Sequence, residues 1–103
     1  MSGTTVQSAV EHLSRILSRY KSGDLDRYTA KEIGGTITSL ESFRDTHSAD
    51  DDLFTLRGMV STIISHLYVA RGHATPNVPR ELKYYQSMNA VRDIIQQIKR
   101  MKR

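Results

Sequence analysis

The chain has 103 residues, with 15 Lys and Arg against 11 Asp and Glu, for a formal net charge of +4. That length suits one domain with a modest single core, and the basic balance admits an acidic partner such as nucleic acid or an acidic protein surface. There is no cysteine, which excludes disulfides, zinc–thiolate sites and thiol chemistry and agrees with a reducing, cytoplasmic setting.

The N-terminal residues Met1 to Thr5 lack the basic segment and apolar run of a signal peptide. A first helix is predicted from about Thr5 to Tyr20. Thr4 and Gln7 have the spacing of a capping box. Val6, Ala9, Val10, Leu13, Ile16, Leu17 and Tyr20 recur at three and four residues, the period of a helix with one buried face. Ser8, Glu11, His12, Arg15 and Arg19 fall on its back. Lys21 to Asp24 closes it, with Gly23 as a left-handed C-cap.

Thr29 and Glu32 repeat the capping-box spacing before a second helix, whose apolar face carries Ile33, Ile37, Leu40 and Phe43. Gly34 and Gly35 sit inside it, each costing about 1 kcal/mol against alanine. Two readings compete. The glycines split the segment into two short helices, or one weak continuous helix uses them to admit a neighbouring backbone. The continuous helix is favoured.

The link His47-Ser48-Ala49 is short and forces the second and third helices to pack antiparallel. Ser48 is the expected N-cap of the third, with Asp50, Asp51 and Asp52 complementing its partial positive end. The third helix, Leu53 to Arg71, is the expected centre of the fold. No formal charge lies between Arg57 and Arg71. Leu53, Leu56, Met59, Val60, Ile63, Ile64, Leu67 and Tyr68 fall on one broad face. Gly58, Thr62, Ser65 and Val69 make an uncharged back, so cover on most sides is expected. The uncharged span is too short to cross a bilayer, and no membrane association is expected. Gly72 is the expected C-cap.

Pro76 and Pro79 constrain the loop His73 to Pro79. A fourth helix follows from about Arg80 to the end. Tyr84, Met88, Val91, Ile95 and Ile98 form a coiled-coil-like seam, widened by Ile94 and Met101. The expected fold is all-α: a four-helix antiparallel bundle-like single domain over residues 1–103.

Chemistry-bearing motifs are sparse. Asp50 to Asp52 lacks the loop spacing of a calcium site and reads as helix capping. His12, His47, His66 and His73 form no His-x3-His pair with a third ligand. There is no phosphate loop, nucleophile elbow or metalloprotease motif. No catalytic residue, metal or cofactor is expected, and the chain is read as non-enzymatic.

Two surfaces stand out. On the fourth helix, Tyr85, Arg92, Gln96, Lys99, Arg100 and Arg103 lie away from the seam. They would suit a phosphate backbone with a base stacked on the tyrosine, against the ordinary alternative of a solvated helix end. Phe54, Leu82 and Tyr85 are candidates for one apolar patch facing a protein partner or a second copy of the chain, against the alternative of packing under the proline loop. The preferred function is a small helical adaptor or regulatory protein that binds a protein partner, with nucleic-acid machinery as one setting. The alternative is direct DNA or RNA binding through the basic face of the fourth helix. A homodimer is predicted from the apolar surplus of that helix.

Overall fold

The computed structural model describes residues 2–18, 28–74 and 82–101. Among them are four helices and no strand: α1 (Ser2–Ile16), α2 (Ala30–Thr46), α3 (Phe54–Gly72) and α4 (Leu82–Met101), with a short 3-10 turn, Asp51–Leu53, leading into α3. They form an antiparallel four-helix bundle. The largest contacts are those of α3 with α2 and with α4, while α1 packs on α2, α4 and the 3-10 turn. One apolar cluster joins all four helices, with Val10, Leu13, Ile33, Leu40, Val60, Ile63, Leu67 and Tyr84 fully buried. These are the positions whose three- and four-residue spacing marks the inner faces.

The helix ends differ from the local motifs in informative ways. α1 begins at Ser2, so Thr4 lies inside it rather than at its start. It ends at Ile16; Leu17 and Ser18 turn out of it, with the Ser18 hydroxyl donating to the Arg15 carbonyl at 2.8 Å. Tyr20 and Gly23 lie outside the described residues, as do Pro76, Pro79 and Arg80. The expected cap of α2 forms: the Glu32 amide donates to Thr29 Oγ1 at 3.2 Å, and that hydroxyl donates to Glu32 Oε1 at 3.2 Å.

α2 runs unbroken through Gly34 and Gly35. No backbone approaches either glycine. A Cβ at Gly34 would meet Arg71 Cδ at 3.7 Å, and one at Gly35 would meet open space. Gly72 is the last residue of α3, and the capping residue is His73 with φ −115°. The expected left-handed glycine cap is therefore absent.

The α2–α3 turn departs furthest from local expectation. Ser48 is not the cap. Asp50 precedes the 3-10 turn, and its side chain makes no capping bond to it. Instead, Asp50 Oδ2 lies 2.9 Å from His47 Nδ1. Arg57 Nη1 donates to the His47 carbonyl at 2.9 Å and also to the Asp50 carbonyl. A cation from the next helix thus takes the second acceptor site of two carbonyls that already accept from the Asp50 and Leu53 amides, at 3.1 and 3.0 Å. The Phe43 ring beneath sits between two imidazoles, 5.6 Å from His12 and 4.7 Å from His47 between centroids.

Enclosure of α3 on most sides is overturned. Its inner face is as expected, with Leu56, Val60, Ile63, Ile64, Leu67 and Ala70 buried. Its back is open: Gly58, Thr62, Ser65 and Gly72 are exposed, with Phe54 73% exposed, Tyr68 43% and Val69 44%. Two neighbours cover one half of this helix, and α1 lies across the bundle. Asp51–Gly72 is also long and apolar enough to cross a membrane by length and composition alone. Here its apolar half forms the bundle core.

Candidate functional site: the open face of α3

At 100° per residue, Phe54, Gly58, Ser61, Thr62, Ser65, Tyr68, Val69 and Gly72 share the outward arc of α3. None carries a charge. Two of their hydroxyls are engaged within the helix: Thr62 Oγ1 donates to the Gly58 carbonyl at 3.0 Å, and Ser65 Oγ to the Ser61 carbonyl at 3.2 Å. Burying those two side chains would leave no hydroxyl proton unpaired, which removes much of the usual cost of desolvating a polar group. The arc therefore combines three exposed apolar side chains with small, internally satisfied polar ones.

Its rim on the α2 side is charged and ordered. The Tyr68 hydroxyl donates to Glu41 Oε2 at 3.3 Å, and the Arg71 guanidinium sits 4.8 Å from the Tyr68 ring centroid. At the other end, an open groove of about 380 Å³ lies between α2 and α3, lined by Arg44, Asp45, Ser48, Phe54, Arg57, Gly58 and Ser61. The Arg57 guanidinium carbon is 5.9 Å from the Phe54 centroid. α2 carries a comparable small-residue stripe, whose Thr38 and Ser39 hydroxyls donate to the Gly34 and Gly35 carbonyls at 3.1 and 3.2 Å. No large apolar side chain of α2 is exposed beside it.

The residues singled out from sequence do not fall together. Phe54 and Leu82 are both exposed, at 73% and 71%. Phe54 opens α3, however, whereas Leu82 opens the antiparallel neighbour α4. The length of α3, about 27 Å, separates the two levels. Tyr85 is half-buried against the core, 5.2 Å edge-on to Tyr84. The three do not make one patch. On α4, Gln96, Lys99 and Arg100 are exposed. Arg92 is 37% exposed in its side chain, with Nε 3.9 Å from Asp93 Oδ1. Arg103 lies outside the described residues. Arg92 and Lys99 sit on the flank of the buried seam, while the outward back of α4 mixes Gln86, Asp93, Gln97 and Arg100.

Tyr68, Val69, Gly58 and Ser65 were missed as surface residues by the sequence reading. The signal that could have found them was the unbroken run of Gly, Ser and Thr at helical spacing, which suits exposure as well as burial. Among the described residues no cluster of three His, Asp or Glu side chains could hold a metal ion. No protein-family model, curated protein or solved structure matches the chain.

Proposed function

We propose that the chain is a non-enzymatic helical adaptor or regulatory protein, and that the open face of α3 docks a protein partner. The observation that carries this reading is the exposed, charge-free arc from Phe54 to Gly72 on the helix that otherwise supplies the centre of the core. A helix back in water normally carries Lys, Glu and Arg. An arc that exposes Phe54, Tyr68 and Val69 and satisfies hydroxyls internally suits burial in a complex. The net charge of +4 keeps nucleic-acid machinery among the settings for such a complex.

Direct nucleic-acid binding through α4 is the second reading, favoured by exposed Lys99 and Arg100. It is weakened by Tyr85, whose ring packs into the fold and offers little face to an unpaired base.

Site-specific photo-crosslinking in cells tests the proposal. A benzophenone side chain at Thr62 should give discrete polypeptide adducts, and the same probe at Gln97 on the back of α4 should not. Equal or absent adducts at the two positions would refute the docking face.

A further inference from the structure

We propose that the occupant of the α3 face is a second copy of this chain, docked with its α3 antiparallel to the first. This rests on the reading of that face as a docking surface and names its partner. The argument is one of self-complementarity. Consider a two-fold axis set between Ser61 and Thr62. Phe54 then falls level with Val69 of the partner copy, and Gly58 falls level with Ser65. Ser61 meets Thr62. A bulky apolar side chain at each end of the face meets another, and small residues meet small ones in the middle, where Gly58 has open space in place of a Cβ. Small side chains there let two helix backbones approach closely. Because the axis relates one surface to itself, each of these pairings occurs twice.

Charge selects the same direction. Asp51 and Asp52 are exposed at the start of the helix, and Arg71 is exposed at its end. A parallel pair would set acid against acid and cation against cation. The antiparallel pair brings Asp51 and Asp52 to the level of Arg71 and Gly72 of the other copy, and it opposes the two helix dipoles. Between those ends α3 carries one charge, Arg57, at the α2-side edge of the face and engaged with the His47 and Asp50 carbonyls.

Area sets the strength. A helix side about 27 Å long and about 10 Å wide buries several hundred Å² per protomer once side-chain relief is included, below the ~800 Å² of a standard interface. The dimer should therefore dissociate in the micromolar range.

The chain contains no cysteine, so a single introduced thiol reports the register. Ser61→Cys lies beside the axis and should oxidise to a covalent dimer. Val69→Cys lies roughly 22 Å along the helix from its own mate, at 1.5 Å per residue, and should not. Mixing Phe54→Cys with Val69→Cys chains should restore the cross-link. Sedimentation velocity from 1 to about 200 µM should show monomer giving way to dimer. Thr62→Arg, an exposed change that leaves the circular-dichroism melt in place, should hold the chain monomeric. Wild type that stays monomeric throughout overturns the inference, as does a Val69→Cys cross-link as efficient as that at Ser61→Cys. A monomeric wild type whose Thr62 probe still captures another polypeptide in cells would remove the self-pairing alone. A silent Thr62 probe together with a monomer would remove the docking face as well.

Discussion

Arg57 is expected to hold the α2–α3 corner together. It is the one residue whose removal tests why the turn adopts its observed form. Its Nη1 bonds the carbonyls of His47 and Asp50, and the side chain is half-buried. A hydrogen bond from a charged donor contributes about 1.5–3 kcal/mol when well shielded. One nitrogen shared between two acceptors at a half-exposed site should contribute less than the sum, so Arg57→Met is expected to cost about 2 kcal/mol. For a domain of this size that corresponds to a fall in Tm of about 10 °C. Methionine retains much of the stem's packing, so the loss isolates the guanidinium. Arg57→Lys keeps the charge but not the planar fork, and should recover about half.

Circular-dichroism melts of the three proteins measure this. Amide exchange should also rise at Asp50, whose N–H donates to the His47 carbonyl at 3.1 Å, while the amides of Ile63 and Leu67 in the core stay protected. A Met variant melting within about 2 °C of wild type would mean that the Asp50 and Leu53 amides, with water, serve those carbonyls without Arg57. The turn geometry would then need another cause.

Gly35→Ala should stabilise the chain by about 1 kcal/mol, since the position is mid-helix and its Cβ would meet nothing; a lower Tm would refute the placement. Ile63→Ala should cost about 2–5 kcal/mol by opening a cavity in the core. Val69→Ser, on the open face, should change chemical-denaturation stability by less than about 0.5 kcal/mol. Thr29→Ala should cost about 1 kcal/mol through loss of the α2 cap, read from the urea midpoint. Lys99→Ala should leave a low-salt gel shift unchanged if α4 does not bind DNA or RNA. If it does, the slope of log affinity against log salt should fall by about 1.

The helix cores were legible because burial imposes a period. Val10 and Leu13 in α1, Ile33 and Leu40 in α2, and Tyr84 and Met88 in α4 were placed inward by spacing alone, and all are buried. Ends were legible only where the cap is local. Thr29 and Glu32 satisfy each other within one turn, whereas α1 begins ahead of Thr4. The turn after α2 is bridged by Arg57, ten residues beyond His47, and no short motif carries such a bond. Tyr28 and Ala74 are buried at 5% and 2% from outside the helices, where periodicity has no hold. Phe54 and Leu82 illustrate a different limit: spacing assigns a helix face, but only topology assigns an end of the bundle.

The open face of α3 shows why an uncharged helix back could not be read from composition. Gly, Ser and Thr are tolerated in both settings because their side chains cost little to bury and little to expose. What separates α3 from α2 is the company those residues keep. Thr38 and Ser39 bond back to their own helix as Thr62 and Ser65 do, so internal satisfaction alone does not mark a docking face. Beside the α2 stripe, the groove toward α1 is lined by His12, Ile16, Thr38, Ser39, Ser42, Phe43 and Thr46, with Phe43 only 2% exposed. A partner there would gain little apolar contact. On α3 the same polar residues run between Phe54 at one end and Tyr68 and Val69 at the other, all open to solvent. Burying those three side chains supplies a favourable term that the small residues do not cancel. The asymmetry between two similar stripes is therefore the physical ground for assigning recognition to α3, and it makes Thr62, rather than Ser39, the position at which a bulky charge should abolish association.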